Sequence, residues 1–302
     1  MESGIVFNLE RFATEDGDGI RTVVFLKGCG LRCLWCANPE SQSFKPQVVY
    51  NENLCTGCGR CLTLCPVGAI DYDEDFGYIS NQEQCDISGK CIKECLYNAR
   101  TMSGESMTSG ALVEQLLKDE KYYTESGGGV TFSGGEPLYQ DRYIKECALK
   151  LKEKNIPILI ETCGHIGQDH LANILDITEV IYFDLKMMDP VKHKDLTGED
   201  NKLILENLRY LDTNYKGRLV VRYPFIPKKN DNLKDLDQAV AFVESLSSVK
   251  QMVFLPYHRL GLPKYRGLGR TYAMGDQVSL QRKDIAWLRK RYQESRLEIR
   301  IS

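Results

Sequence analysis

The sequence of 302 residues has no apolar stretch that approaches the roughly 20 residues needed to span a bilayer. Its opening residues, MESGIVFNLERF, lack the basic region and the continuous apolar segment of a secretory signal. An excess of positive charge is also absent, because the formal net charge is -3. The composition therefore predicts a cytoplasmic globular protein that binds neither nucleic acid nor membranes.

Cysteine is scarce over most of the chain but abundant in one region. Ten of the 12 cysteines lie between Cys29 and Cys95, and the other two are Cys147 and Cys163. In a reducing compartment, cysteines at spacings of two and three residues indicate metal or cluster ligands rather than disulfides. Cys147, in a helical segment, and Cys163, after a strand, are interpreted as small buried apolar side chains.

Outside this region, short strand-like segments alternate with amphipathic helical segments, which predicts an α/β fold with parallel strands. Strands are predicted at 21–28, 128–135, 157–163, 180–186, 218–227 and 250–258, before a last helix around 279–295 and a short final strand. Six units are too few for a complete barrel, so we expect a partial (β/α)6 TIM-type barrel with its chemistry at the carboxyl ends of the strands. The predicted domains are the barrel, 1–46 and 104–302, and an inserted ferredoxin-like iron-sulfur module, 47–103.

A loop after the first predicted strand, KGCGLRCLWCANPES, places Cys29, Cys33 and Cys36 in a C-x3-C-x2-C pattern. Three thiolates can bind three irons of a 4Fe-4S cube and leave the fourth iron open. That iron can bind S-adenosyl-L-methionine (SAM), whose reductive cleavage gives a 5'-deoxyadenosyl radical. The alternatives are a zinc site, which usually needs four protein ligands, and three buried cysteines.

Two further motifs end predicted strands. In TFSGGEP, Gly134 and Gly135 permit close backbone approach to a ligand, and Glu136 offers a carboxylate. Asp184 and Lys186 are two residues apart, so they share one face of a strand and suit a zwitterionic ligand. The alternatives are an ordinary turn and a surface ion pair.

The inserted segment begins with CTGCGRCLTLCP, the C-x2-C-x2-C-x3-C-P pattern of bacterial ferredoxins, in which the fourth cysteine serves the other cluster. Its second half has Ser88 where a cysteine is expected. We therefore predict one or two further 4Fe-4S clusters, which relay electrons or tune the radical site; the alternative is that they only stabilise the module. The complete ligand set is Cys55, Cys58, Cys61 and Cys95, and the incomplete set is Cys65, Cys85 and Cys91, with Ser88, Asp86 or water as the fourth ligand.

These motifs together resemble the glycyl-radical-enzyme activating enzymes of the radical SAM superfamily, of the pyruvate formate-lyase type with a ferredoxin-like insert. The resemblance covers nearly the whole chain and is carried by DGDGIRTVVFLKGC, the cysteine loop, SGGGVTFSGGEP, ETCG, FDLKMMD, RYPFIP and LPYHRLGLPKY. It implies that Lys186 joins the three loop cysteines in catalysis. It also implies a SAM pocket that includes Trp35, Cys36, Ala37, Gly135, Asp184, Lys186 and His258, with Arg222 beside it.

The sequence departs from that family at two positions. Asp18 stands where the family usually has proline, and Glu161 stands where several relatives have aspartate. Relatives build a monovalent-cation site from that aspartate together with the equivalents of Thr162 and Asp184, so no cation is predicted here.

The resemblance implies a radical SAM oxidoreductase whose radical removes hydrogen from a glycine in a partner protein. The implied partner is a formate acetyltransferase, a diol dehydratase, a choline lyase or an aryl-acetate decarboxylase, with flavodoxin or ferredoxin as the electron donor. One alternative is a radical SAM enzyme that acts on a small molecule or peptide. Another is an iron-sulfur electron-transfer protein.

Overall fold

The computed structural model describes residues 1–302, which form one large sheet, two small sheets and the helices around them. The strands are β1 (Ser3–Ala13), β2 (Arg21–Leu26), β3 (Gln47–Tyr50), β4 (Ile70–Asp73), β5 (Gly77–Ser80), β6 (Arg100–Ser103), β7 (Glu105–Thr108), β8 (Gly129–Gly134), β9 (Ile158–Thr162), β10 (Val180–Asp184), β11 (Arg218–Phe225), β12 (Gln251–Pro256) and β13 (Glu298–Ile301). The α-helices are α1 (Arg60–Leu64), α2 (Lys90–Lys93), α3 (Ser109–Leu116), α4 (Glu120–Ser126), α5 (Asp141–Lys152), α6 (Gln168–Ala172), α7 (Pro190–Thr197), α8 (Lys202–Asn214), α9 (Leu233–Glu244), α10 (Leu262–Gly267) and α11 (Trp287–Arg291). Short 3-10 helices lie at Pro39–Gln42, Glu52–Leu54, Leu117–Asp119, Pro137–Gln140 and Arg282–Ile285.

The large sheet has nine strands in the order β13-β12-β11-β10-β9-β8-β2-β1-β7. From β2 to β13 each strand runs parallel to its neighbour, whereas β1 pairs antiparallel with both β2 and β7. The sheet stays open, because β7 and β13 lie at its two edges. The carboxyl ends of the parallel strands therefore meet along one rim of a partial barrel.

The central strands are apolar along most of their length. All residues of β8 except the last are buried, as are four of the five residues of β9. Such continuous burial is typical of parallel strands that helices cover on both faces. α5 buries the side chains of Ile144, Cys147 and Leu151 against this layer, so the predicted burial of Cys147 is confirmed.

All six strands predicted for the barrel are present, and the short final strand adds a seventh parallel strand, β13. The opening strand β1 was not predicted from its polar residues. The single helix predicted around 279–295 was wrong, because only a 3-10 turn and α11 form there. The helix ends where the ring of Tyr292 stacks on Phe254 and its hydroxyl donates to Asp237 at 2.8 Å.

The cysteine-rich segment is built from two similar halves. β3 and β6 pair antiparallel where this segment begins and ends, and β4 and β5 form a second two-stranded sheet. The helices α1 and α2 begin 30 positions apart, each after a glycine, Gly59 or Gly89, with a φ of 68°. The halves therefore share one backbone design.

The hydrophobic core belongs almost entirely to the barrel. One cluster of 47 buried residues joins the large sheet to its helices, whereas Val48, Ile70 and Cys91 form the small core of the cysteine-rich segment. No helix of the chain combines the length and the hydropathy that crossing a bilayer requires.

Candidate active site

The three-cysteine loop leaves the carboxyl end of β2 and is anchored by backbone hydrogen bonds. Gly28 has a φ of 102°, which favours glycine, and its amide donates to the Ser41 carbonyl oxygen at 2.7 Å. The amides of Arg32 and Leu34 donate to carbonyl oxygens in the last turn of α7 at 2.6 and 3.0 Å. Barrel elements therefore fix the loop on both sides.

The thiols of Cys29, Cys33 and Cys36 are free and close enough to affect one another's ionisation. Burial raises the pKa of Cys33 to about 12 and that of Cys36 to about 11. The ammonium group of Lys186 acts on both thiols in the opposite direction. Iron is bound by the ionised thiolate form of cysteine. Because the nearby ammonium group of Lys186 favours that form, Cys33 and Cys36 are suited to bind iron.

Cys29 has a further partner that was not predicted. The thiols of Cys163 and Cys29 lie close together, and this proximity holds the pKa of Cys29 below its usual value and raises that of Cys163 well above it. Cys163 is 7% exposed, so its predicted burial is confirmed, but it is also a polar neighbour of the loop. The sequence signal for this contact is the position of Cys163 directly after the end of β9.

Charged side chains meet at the carboxyl ends of β8 to β11. Arg222 donates from Nε to Asp184 Oδ1 at 2.9 Å and from Nη1 to Glu161 Oε1 at 2.5 Å. Lys186 Nζ donates to Asp184 Oδ2 at 3.2 Å. Glu161 also accepts a hydrogen bond from the Ser133 hydroxyl at 2.7 Å. Two cations and two carboxylates thus form one continuous network beside the cysteine loop.

This network is buried, so the surface ion-pair interpretation of Asp184 and Lys186 was wrong. Lys186 is 8% exposed. Burial opposes ionisation of Asp184, Lys186 and Arg222, but Arg222 and Lys186 hold the pKa of Asp184 below its usual value. In turn, Asp184 raises the pKa of Lys186 and of Arg222 above their usual values, although burial alone would lower them. Fixed charges of both signs therefore persist at neutral pH.

Asp16, which precedes β2, adds another acid that the sequence did not single out. Burial raises its pKa to about 6, the nearby carboxylate of Glu161 adds to the rise, and Arg222 opposes it. Asp16 thus lies within the electrostatic reach of the Arg222 network, and burial makes it a weaker acid than an exposed aspartate.

The two glycines of SGGEP are required by close packing within the protein. A Cβ atom on Gly134 would lie 2.4 Å from the Leu26 amide nitrogen, and one on Gly135 would lie 2.3 Å from the Gly28 carbonyl oxygen. Both distances are too short for any side chain. The segment therefore packs directly on β2 and on the start of the cysteine loop.

Glu136 has no exposed surface. Its carboxylate accepts hydrogen bonds from the Thr162 hydroxyl and from the Cys163 amide, both at 2.8 Å, and from the Leu138 amide at 3.3 Å. Burial nevertheless raises the pKa of Glu136 above its usual value. The carboxylate thus ties the end of β8 to the end of β9.

The segment after β12 covers the other side of the cysteine loop. A Cβ atom on Gly261 would lie 2.6 Å from the Cys36 carbonyl oxygen and 3.2 Å from the Ala37 Cα atom. Trp35 packs against a small buried cluster beneath this segment, whereas the ring of His258 is exposed at its start. The cluster consists of Ile226, Tyr257, Tyr265, Tyr272 and Met274.

The first predicted ligand set of the insert surrounds a single small cavity of about 30 Å³. All four of its cysteines line this cavity, together with aromatic rings that include Tyr50 and Tyr78. Three of these cysteines come from the first half and its α1, and the fourth comes from the second half, as the crossed ferredoxin pattern requires. The four are Cys55, Cys58, Cys61 and Cys95.

The second ligand set also gathers in one place. Cys91 lies in the small core of the insert, and Cys65 and Cys85 pack against that core. Burial raises the pKa of Cys91, and the neighbouring thiols raise it further. The structure therefore brings together both crossed sets.

No three or more His, Cys, Asp or Glu side chains converge on one point as the ligands of a single metal ion would. Ligands of a cube-shaped cluster bind different iron atoms, so they do not need to converge. All twelve cysteines are free thiols, and ten of them gather at two places, three in the barrel loop and seven in the insert, where Cys61 and Cys91 lie between the two ligand sets. This donor set fits iron-sulfur clusters.

Comparison with known proteins gives the same result. Residues 87–242 match the Radical SAM superfamily, and residues 48–71 match the 4Fe-4S binding domain. The isethionate sulfite-lyase activating enzyme of Nitratidesulfovibrio vulgaris is 38% identical over 91% of this chain and 90% of its own length. The 4-hydroxyphenylacetate decarboxylase activating enzyme of Clostridioides difficile is 37% identical over 91% of this chain and 88% of its own length.

The chain belongs to the glycyl-radical-enzyme activating enzymes of the radical SAM superfamily. The fold of this activating enzyme is similar to that of a radical SAM methyltransferase from Sphaerobacter thermophilus, with a TM-score of 0.54, 14% identity and coverage of 98% of this chain and 76% of the other. Its cofactors are 4Fe-4S clusters and SAM. The electron-transfer alternative is therefore wrong.

Proposed function

We propose that this activating enzyme installs a radical on a glycine of a glycyl radical enzyme. Cys29, Cys33 and Cys36 hold the cluster that, when bound, supplies the electron for reductive cleavage of SAM. The observation that carries this proposal is the buried network of Asp184 and Lys186 beside the three thiols. It offers fixed charges of both signs at the position where a zwitterionic methionine group would reach the open iron.

The proposed SAM site has two walls. The charged wall consists of Lys186, which can bind a carboxylate, and of Asp184, which can bind an ammonium group. The covering wall is formed by Trp35, Ala37 and the segment that begins at His258, which lies over the cysteine loop. Gly134 and Gly135 complete the floor, because only glycine fits there.

Arg222 and Glu136 are proposed as positioning residues. Arg222 holds Asp184 and Glu161 in place by direct hydrogen bonds. The carboxylate of Glu136 accepts hydrogen bonds from protein groups and fixes the end of β9. Contact with SAM is therefore not its proposed role. Both residues keep the strand ends rigid, which precise placement of a reacting bond requires.

The partner is proposed to present its glycine on an exposed loop at the open edge of the barrel. The sheet does not close between β13 and β7, so the rim is not sealed as in an eight-stranded barrel. The two relatives act with different partners according to their names, isethionate sulfite-lyase and 4-hydroxyphenylacetate decarboxylase. We propose a partner of the same broad class, and a cytoplasmic location consistent with twelve free cysteines.

We further propose that residues 47–103 form a separate module that passes electrons from flavodoxin or ferredoxin to the barrel. The pairing of β3 with β6 supports these bounds, with residues 1–46 and 104–302 as the barrel. Cys58 is exposed, so the first cluster set is open to an external donor. Arg266 of α10 joins the module to the barrel through Glu52 at 2.6 and 2.7 Å.

The first experiment measures SAM cleavage without oxygen. The reconstituted protein is reduced with dithionite, and 5'-deoxyadenosine and methionine are quantified. Cys33→Ser should abolish production, whereas Cys147→Ser, which changes a buried thiol outside the site, should leave it within about twofold. Production that survives Cys33→Ser would contradict the site assignment.

The second experiment identifies the partner and the donor. EPR detection of a glycyl radical is tested with a panel of purified glycyl radical enzymes. Cys55→Ser should reduce activation driven by flavodoxin or ferredoxin but not activation driven by dithionite, which can reduce the barrel cluster directly. Equal loss with both reductants would favour a purely structural role for the insert.

A further inference from the structure

The two halves of the insert repeat with a spacing of 30 positions, and several hydrogen bonds recur at equivalent positions. The Cys65 Sγ atom accepts the Ala69 amide at 3.2 Å, and the Cys95 Sγ atom accepts the Ala99 amide at 3.3 Å. Both halves also open with an asparagine side chain that accepts a backbone amide two residues later, at 3.1 and 3.0 Å. The second half therefore keeps the backbone of a cluster-binding loop.

The repeat is broken at one ligand position. Cys58 in the first half corresponds to Ser88 in the second. The preceding residues correspond as well, and Ile87 has a φ of 59° where Gly57 has a φ of 74°. A β-branched residue rarely adopts this conformation. The loop thus keeps its shape although both its ligand and its glycine have been replaced.

The three remaining thiols are still assembled. Cys91 is buried, and Cys65 and Cys85 pack against the same small core. Ser88 itself is exposed, and its amide donates to Asp86 Oδ1 at 3.0 Å. A serine hydroxyl must lose its proton to become a strong ligand, and its proton is held far more tightly than that of a thiol. Because Ser88 is exposed, solvent can reach the position of the missing fourth cysteine.

We propose that the second half-site holds a 4Fe-4S cluster through Cys65, Cys85 and Cys91 alone, and that solvent coordinates its fourth iron next to Ser88. That iron is exchangeable, so the insert carries one stable cluster and one labile cluster. The inference goes beyond glycyl radical formation and does not depend on it.

Oxidation provides a test, because it should release the iron that has no protein ligand. A one-electron oxidant such as ferricyanide converts a [4Fe-4S]2+ cluster into a [3Fe-4S]+ cluster, with release of one Fe2+ to a chelator and one electron to the oxidant. A cluster with four thiolates resists this loss, since every iron has a sulfur ligand from the protein. The products are detected by iron analysis and by the EPR signal of a three-iron cluster.

The test uses the full chain with Cys29, Cys33 and Cys36 changed to alanine, because the barrel cluster has an open iron of its own. This parent should lose one iron per chain and develop the three-iron signal. Adding Ser88→Cys should prevent both changes. Combining Ser88→Cys with Cys58→Ser should restore both changes, now in the first half of the repeat.

Three outcomes would overturn the proposal. The parent could retain all its iron on oxidation, which would show that the fourth iron has a firm protein ligand. Iron loss that appears only after Asp86→Asn would identify Asp86 as that ligand. The parent could also bind one cluster where the Ser88→Cys variant binds two. If the parent fails to fold, the unsubstituted chain with excess SAM, which occupies the open iron of the barrel, gives the same iron and EPR readouts. None of these readouts measures activation of a partner, so the proposed function is tested separately.

Discussion

The barrel and the insert both assemble cysteines, but they do so by different physical means. Around the barrel loop, 47 buried residues and a parallel sheet hold the thiols, and buried charges surround them. The insert has a core of three buried residues, helices of five and four residues, and two sheets of two strands each. Helices this short contribute little stability of their own.

The comparison teaches that a cluster site can be organised either by the fold or by the cluster itself. The barrel has enough buried apolar surface to fold without iron and to present a preformed site. The insert lacks that surface, and small modules of this kind depend on bound metal for their folding free energy. The predictions below test this difference, from the largest expected effect to the smallest.

Removal of iron should unfold the insert and leave the barrel folded. We expect amide-exchange protection across 51–99 to fall on the order of 100-fold or more after anaerobic chelation, because the metal sites supply the folding free energy there. Strands β8 to β10 should keep their protection. Mass-spectrometric hydrogen exchange of the loaded and iron-free protein makes the measurement. An insert that stays protected without iron would contradict the claim that the clusters organise its fold.

Substitution of the buried Arg222 should destabilise the protein much more than substitution of the exposed Arg266. Arg222→Leu removes the cation that Asp184 and Glu161 share and leaves two carboxylates with the single cation of Lys186, so the barrel should lose about 3 kcal/mol of stability against unfolding. The matched change, Arg266→Leu, removes an ion pair whose side chains are both 41% exposed and should cost about 1 kcal/mol or less.

Exchange of the β10 amides measures both variants. Similar losses for Arg222→Leu and Arg266→Leu would contradict the assignment of a buried network to the barrel rim.

Asp16 should make the stability of the barrel depend on pH. Its pKa is raised from 3.8 to about 6, so the folded state binds the proton more tightly and the protonated form is the stabilised one. That stability is complete below the ordinary pKa and is lost as the pH rises to about 6. Between pH 5 and 7 the native protein should lose about 1 kcal/mol more than the Asp16→Asn variant. Urea unfolding at both pH values measures this, and parallel pH profiles would show that Asp16 has an ordinary pKa.

Cys163→Ala should lower the reduction potential of the barrel cluster. The change removes the thiol whose proximity holds the pKa of Cys29 below its usual value, and an interaction of about 1 kcal/mol corresponds to about 40 mV for one electron. Cys163→Ser, which keeps a donor, should recover most of the shift. The insert clusters should not change, and neither should any potential in Cys147→Ala. EPR-monitored redox titration makes the measurement. A potential that stays the same in both variants at position 163 would exclude an effect of Cys163 on Cys29.

The barrel was largely predictable because its strands are continuous apolar runs that local sequence reveals. β1 was missed because it is an edge-side antiparallel strand with many polar residues, and the last helix was misplaced because the tertiary contacts of Tyr292 end it early. At the site, spacing identified the cysteines, but the role of Cys163 depends on its proximity to Cys29, which only the fold creates.

The short helix α10 has a glycine at its end and another just before its start, and each is required by close contact with a different region. A Cβ atom on Gly261 would collide with the Cys36 carbonyl oxygen, and one on Gly267 would lie 2.6 Å from the Tyr50 carbonyl oxygen of the insert. A helix of six residues is about 9 Å long and does not stretch. It therefore acts as a spacer of fixed length between the backbone of the cysteine loop and that of the insert, so neither can shift towards the other without displacing this helix.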